Sequence, residues 1–528
     1  MFKGKEPMSN EQEKVTGTED FQSSTVADPY DLMKPLSTSI DENINRMKDT
    51  LKGDNTVIYR WMGNKHMDSF RACLVFIYGM VDNEDINDNL VTPIMQADLS
   101  ELPQDTFLER VMNTIINNMD VKRCLYMDTV LQSLFQGETL LFIDGQEQAL
   151  IIRSKALLLR QITEPEFEKV MEGPREGFNE YLAVNLSLVR RKLKSPDLKF
   201  KFKVLGRHSR TNVCLCYMET LVNDKVLGEL ENRLDKIDVD AMTGSNVIAE
   251  NIKDAPLSVF ATIGSTERPD VVVSKVMEGR IVLIIDGTSK ALWLPFIFLE
   301  NFHTAEDYYT EFYFSSINRL LRIISAAITV TAPAVYLAAL TYHQEMIPTT
   351  LLVSIYSARQ GVPFPAVLEV LLLMFSFDLV REASARIPSA MGQSLSIVGT
   401  LILGQAAVEA KFFSSLVVII AALTGITGLM VPKLKGVYII IRTLLILVTS
   451  ILGLYGFAFG IIVLFIHLFS IRSLGVPYMM GIGSIKPEDI KDTVVRAPWW
   501  YMNTRPKMFM GKESRRQSMD SRKGKSRL

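Results

Sequence analysis

The chain has 528 residues, a formal charge of -2 at pH 7, 48% hydrophobic residues and four cysteines. That balance supplies no overall field for a nucleic-acid binder, and so few cysteines do not make a disulfide framework. The mean hydropathy of +0.16 averages a polar N-terminal part, about three fifths of the chain, with an apolar remainder, so the two are read separately.

Residues 1–39 are rich in Ser, Thr, Glu and Asp and lack the basic-then-apolar run of a signal peptide. They read as a flexible leader on the cytoplasmic side. A first α/β subdomain is expected over 40–163. Apolar spacing predicts helices at 44–51 and 57–62, a strand at 71–78, a loop from Gly79 into a helix, and helices at 106–118 and 129–136. Strands at 138–143 and 148–153 flank Asp144-Gly145, a strong hairpin signal.

A second subdomain, 164–309, repeats this plan with a strand at 212–221, a helix opened by Asn223-Asp224, and a hairpin about Asp286-Gly287. QGETLLFIDG, from Gln136, and MEGRIVLIIDG, from Met277, both read as helix end, glycine, apolar strand, Asp-Gly, strand. The shared order predicts an internal duplication. No Gly/Ser/Pro-rich linker lies between 153 and 173, so the two units are expected to form one assembly.

Cys73, Cys124, Cys214 and Cys216 read as core residues in a reducing compartment. The five histidines offer no zinc-ligand spacing, so neither metal nor cofactor is expected. GPREGF, Gly173 to Phe178, does not end in Gly-Lys-Ser/Thr and is not a phosphate loop. The basic run Arg190, Arg191, Lys192, Lys194 reads either as a solvated helix face or as a contact surface for another subunit or for lipid head groups. Arg268, flanked by Glu267 and Asp270 with Pro269 fixing the backbone, is either a surface arginine or one half of an interdomain or subunit ion pair.

Residues 310–475 form the expected transmembrane helical domain. The segment 323–340 carries no ionisable group over about 18 residues, and 391–410, 412–431 and 437–469 follow with short linkers. With the soluble half inside, six crossings leave only Arg359 and Lys411 outside, provided 365–380 spans and 437–469 divides near Gly453. Four crossings would export Arg381, Arg386, Lys433 and Lys435, which the charge bias disfavours. Glu369, Asp378 and Glu409 are intramembrane carboxylates, either helix-end residues at the interface or members of a pore or proton path. Residues 476–528 form a basic tail, with Lys507, Lys512, Arg515, Arg516, Arg522, Lys523, Lys525 and Arg527 facing only Glu513 and Asp520. Both termini are therefore placed in the cytoplasm.

At 100° per residue, Gln393, Ser396, Thr400, Gly404 and Ala407 fall within an arc of about 80° on the 391–410 helix. Such a small-and-polar stripe serves either close helix packing or a water-lined path. An enzyme is disfavoured. Asp144 and Asp286 sit in Asp-Gly turns, where a short side chain caps its own backbone, and Glu267 has no nucleophile or histidine base at informative spacing.

Several strings, in order over residues 55–505, resemble the A-subunit family of GerA-type nutrient germinant receptors of endospore-forming bacteria. They are GPREGF with Asn185 and Arg190 to Lys192, STERPD from Ser265, EGRIVLIIDG from Glu278, EDYY from Glu306, PFPAVLEVLLL from Pro363, and IVGTLILGQAAVEA from Ile397. The resemblance implies a multi-pass protein of the spore inner membrane that acts with a transporter-like B-subunit and a lipoprotein C-subunit, oligomerises, and releases ions when nutrients are sensed. It favours a pore reading of the 391–410 stripe. The rival readings are a secondary transporter component and a non-conducting membrane scaffold.

Overall fold

A computed structural model describes residues 35–99, 107–117, 120–154, 164–166, 168–386, 405–482 and 492–502. The first unit contains α1 (Ile40–Thr50), β1 (Val57–Met62), β2 (Ala72–Ile77), β3 (Val121–Cys124), α2 (Met127–Phe135), β4 (Thr139–Ile143) and β5 (Ala149–Ile152). Its five-stranded sheet has the order β1-β2-β4-β5-β3, every pair antiparallel. Residues 57–62, expected as a helix, form edge strand β1, with Val57 opposite Ile77. Six residues are too few for apolar spacing to separate the two periods, and this β-branched and aromatic run pairs better than it coils. β2 and β4 are buried along their whole length. Leu74 and Leu141 pack on one face of the sheet, and Cys73, Val75 and Phe142 on the other.

The second unit contains α3 (Leu182–Lys192), β6 (Leu198–Leu205), β7 (Thr211–Met218), α4 (Asp224–Asp235), α5 (Ser245–Ile252), β8 (Gly264–Thr266), α6 (Pro269–Met277), β9 (Ile281–Ile285) and β10 (Ala291–Leu294). Its sheet order, β6-β7-β9-β10-β8, matches the first unit strand for strand. Asn223 caps α4 by accepting from Lys225 N at 3.1 Å. Cys214 and Cys216 share the face of β7 that packs with Phe200 and Val282, and all four cysteines are buried and free.

The repeat extends to single hydrogen bonds. Ile40 N donates to Asp144 Oδ1 at 3.1 Å and Leu182 N to Asp286 Oδ1 at 3.2 Å, each across 104 residues. Gly145 N donates to Thr38 O, and Gly287 N to Glu180 O. Asn43 closes a ring with both backbone groups of Ser37, and Asn185 does the same with Asn179. The turn carboxylates therefore cap the first helix of their unit, whereas the sequence suggested that they cap their own turns. An exposed N–H pair at a helix start is a stronger attractor for a carboxylate than a neutral turn amide.

The two units are joined by a buried ion pair. Arg190 of α3 reaches Asp54 of the first unit, with side chains 1% and 0% exposed. The guanidinium also donates to Ser195 O and Leu198 O and lies over the rings of Phe135 and Phe200. Asn55 N donates to Phe200 O at 2.9 Å beside it.

The apolar part contains α7 (Phe312–Thr341), α8 (Thr349–Arg359), α9 (Ala366–Arg386), α10 (Ser415–Leu429) and α11 (Lys435–Ser470). Among the described residues, two stretches are long and apolar enough to cross a membrane, Phe312–Thr341 and Pro432–Ser470. Of the other spans expected, α10 has only 15 residues, α9 interrupts its apolar run with charges, most of 391–410 lies outside the described residues, and Pro432–Ser470 holds two of the expected crossings in one stretch.

α11 is not one rod. Gly453 has φ +60°, and a Cβ on Gly460 would lie 2.5 Å from Leu445 Cδ2. In a continuous helix fifteen residues separate groups by ~22 Å, so the two halves fold back on each other at Gly453. Gly456 abuts Val448 O in the same way. At the tip, Tyr342 donates to Ser450 O and Ile451 O, supplying a hydroxyl to carbonyls next to the break. Both hairpin ends return to the second α/β unit, where His467 meets Ser258 at 3.0 Å and Lys433 lies over Trp293.

Candidate functional site: the junction between the paired units and the apolar bundle

Three sequence strings converge beneath the bundle. Arg268, at the N-terminus of α6, is 0% exposed. Its Nε and Nη2 donate to the two Asp270 oxygens at 3.1 and 2.8 Å, and Nη2 also donates to Pro174 O at 2.8 Å. Tyr309 OH donates to Asp270 Oδ2 at 2.7 Å, and its ring lies against Gly173, where an added Cβ would meet it at 2.7 Å. Gly173 has φ +117°, a region closed to most side chains, so conformation and close approach both select glycine. STERPD, GPREGF and EDYY are thus parts of one polar knot.

Glu168 ties the knot to the bundle. Its Oε2 accepts from Glu267 N at 3.2 Å and from the Thr266 hydroxyl, while its Oε1 lies 3.0 Å from Lys433 Nζ at the start of the hairpin. A second knot lies nearby, where Glu300 accepts from Lys275 Nζ at 2.5 Å and Arg280 Nη1 at 2.7 Å. Burial alone would raise the Glu300 carboxyl, but Arg280 and Lys275 outweigh it and hold the group at about 2.

A third knot anchors α7. Asp307 accepts from Arg319 Nε at 2.9 Å and from both terminal nitrogens of Arg322 at 3.0 and 2.8 Å. Arg319 Nη1 also donates to Asp492 Oδ1 at 2.8 Å, and Tyr308 OH donates to the other oxygen of Asp492. Burial opposes ionisation of Asp307 and of Asp492, yet both are held below the usual carboxylate range, Asp307 by Arg322 and Arg319 and Asp492 by Arg319. His303 Nε2 donates to Thr493 O at 2.8 Å. Burial and the nearby Arg319 lower its pKa to about 4. Arg319 is 0% exposed and Arg322 only partly exposed, so both act as structural partners of Asp307.

Of the residues singled out from sequence, Arg268 and Asp270 pair directly, and Glu267 contributes backbone groups to the same knot, its carbonyl accepting from Phe178 N at 2.7 Å. Arg190 is buried between the units, whereas Arg191 faces solvent beside Glu176. In the apolar part, Glu369 is 0% exposed, accepts from Ser414 N at 2.5 Å and lies 3.4 Å from Arg359. Asp378 pairs with Arg442. Glu409 is exposed and accepts from Gln405 at 3.0 Å. Gln393, Ser396, Thr400 and Gly404 lie outside the described residues; Ala407 lies half-buried on a short helical turn. Sequence reasoning missed Glu168, Glu300, Asp307, Asp492 and Lys433 as partners. Lys433 was seen only as a loop charge, and no local spacing joins it to a glutamate so far away in the chain.

Among the described residues no group of three or more His, Cys, Asp or Glu is arranged to hold a metal ion. Fold and junction together define a two-part protein, in which duplicated antiparallel α/β units are locked by buried ion pairs to an apolar helical bundle. The chain matches the model of the Bacillus/Clostridium GerA spore germination protein over residues 45–508, and it belongs to that family. It is 38% identical to spore germination protein KA of Bacillus subtilis, over 92% of this chain and 90% of that one. It is 32% identical to spore germination protein GerLA of Bacillus cereus, over 91% and 97%. A crystal structure of the N-terminal domain of the A subunit of the Bacillus megaterium spore germinant receptor GerK3 is similar at 31% identity, with a TM-score of 0.41, covering 50% of this chain and 98% of that one.

Proposed function

We propose that this chain is the A-subunit of a nutrient germinant receptor in the spore inner membrane. It oligomerises to form or gate an ion pathway that starts germination, together with a transporter-like B-subunit and a lipoprotein C-subunit. The observation that carries the reading is the contact of Glu168 with Lys433, which joins the knot of family strings to the first residues of the apolar hairpin. Motion of the α/β units is thereby transmitted to helices that present a large apolar surface, with Ile451, Phe459 and Ile466 each more than half exposed. Surface of that kind requires lipid or a partner. On this reading α7, α9, the 391–410 segment, α10 and the two halves of α11 supply six crossings.

The test uses spores in which this gene is the only one of its family. Deleting it should abolish both nutrient-triggered ion release and the loss of refractility, and restoring it should recover both. Ion release at the normal rate without the chain would overturn the proposal. Saturable nutrient uptake by the chain alone in liposomes would favour the transporter reading.

A further inference from the structure

A cleft of about 630 Å³ opens where α7 begins, lined by Tyr308, Phe312, Phe314, Trp499, Trp500 and Arg496. Two carboxylates, Glu172 and Glu311, stand at its wall, and both are exposed. Arg496 is only 3% exposed. It donates through Nη1 to Thr310 O at 2.6 Å and lies over the rings of Tyr308 and Trp499. Among the described residues its Nε has no hydrogen-bond partner, so the guanidinium that lines the cleft keeps donor capacity for an acceptor. The cleft therefore combines one unfulfilled cationic donor, two solvent-facing anions and aromatic walls. That set fits a small group carrying both a phosphate and an ammonium.

Position says where such a group comes from. The 30 residues of α7 span ~45 Å, the thickness of a bilayer with its headgroup layers. The face of α7 turned outward is apolar from its first turn, with Tyr313, Phe314, Ile317, Leu321 and Ile324 all exposed, while Arg319 and Arg322 on the other face are covered by Asp307 and Asp492. Trp499 and Trp500, 50% and 61% exposed, stand beside that first turn, as aromatic side chains do at a membrane–water boundary. We infer that this cleft binds the headgroup of a zwitterionic phospholipid, phosphatidylethanolamine in chemical class, whose phosphate pairs with the Arg496 guanidinium and whose ammonium sits between Glu172 and Glu311. The inference rests on the reading of α7 as a membrane span.

The test places the full chain in nanodiscs of equal phosphatidylethanolamine and phosphatidylglycerol, with bromine on the acyl chains of one lipid or the other. Tryptophan fluorescence is compared with that of a W499F/W500F chain, so that the difference reports the two cleft tryptophans. Brominated phosphatidylethanolamine should quench that difference about threefold more than brominated phosphatidylglycerol, the scale of one or two exposed ionic or cation–π contacts. The E172Q/E311Q chain, altered only at exposed positions, should quench equally with both lipids. Equal quenching in the unaltered chain, or none from either lipid, would overturn the inference. A chain that fails to enter the bilayer at all would instead count against the span reading.

Discussion

Arg190 and Asp54 face each other across the boundary between the two α/β units, with side chains 1% and 0% exposed. A charge in that position cannot be left alone. Asp54→Asn should destabilise the full chain by about 3–5 kcal/mol, because it leaves the guanidinium buried and uncompensated. Denaturant unfolding in detergent measures this. A loss below about 1 kcal/mol, the range of an exposed pair, would show that the units do not close on one another.

The duplicated caps make a paired prediction. Asp144→Ala and Asp286→Ala each remove an oxygen that accepts from the first helix of its own unit. Each should cost about 1 kcal/mol. Thermal unfolding of the two single variants should give matching shifts, whereas an effect in one unit alone would mean that the second bond is not made in solution.

The hairpin at Gly453 is open to a covalent test. Cysteines replacing Leu445 and Gly460 should form a disulfide under mild oxidation, since the two positions touch when α11 folds back. The native cysteines are buried and will not compete. A continuous helix holds the two positions ~22 Å apart and cannot cross-link, so failure to bridge would remove the hairpin.

A pH window follows from His303. Burial and the nearby Arg319 lower its pKa to about 4 from the usual 6.5 of a histidine, so the folded chain binds this proton less readily than the unfolded chain. The stability it contributes is complete above about 6.5 and is lost as pH falls toward 4, on the order of 3 kcal/mol. Glu300, held at about 2, stays ionised through that range, and the stability it contributes falls only as pH drops from about 4.5, the ordinary carboxyl value, toward 2. His303→Gln should flatten the loss of Tm between pH 6.5 and 4, and an unchanged slope would contradict the assignment.

Much of the α/β architecture was legible because each Asp-Gly hairpin joins two apolar strands that differ sharply from their flanks. The matching strings at Gln136 and Met277 correctly announced a repeated plan. β1 was misread because six residues, all but Arg60 apolar or aromatic, carry no decisive period, and its partner strand, not its own pattern, fixes its state. The knots were legible only in part. Arg268 and Asp270 stand two residues apart and could be paired by eye. Glu168 with Lys433, and Asp307 with Asp492, are brought together only by the tertiary fold. In the apolar half the glycine at 453 was marked as a dividing point, but the contact with Tyr342 that accompanies the break is invisible in one dimension.

The central claim is that the α/β units drive the hairpin through Glu168 and Lys433, and charge exchange addresses it most directly. Nutrient-triggered ion release would be measured from spores carrying E168K, K433E, or both substitutions together. Each single reversal places like charges about 3 Å apart and should slow release at least about tenfold, the effect of roughly 1.4 kcal/mol on a coupling equilibrium, with the double exchange restoring part of the rate, since a lysine at position 168 remakes the ion pair but cannot accept from Thr266 and Glu267 N. Normal release from either single variant, at unchanged protein level, would contradict the account.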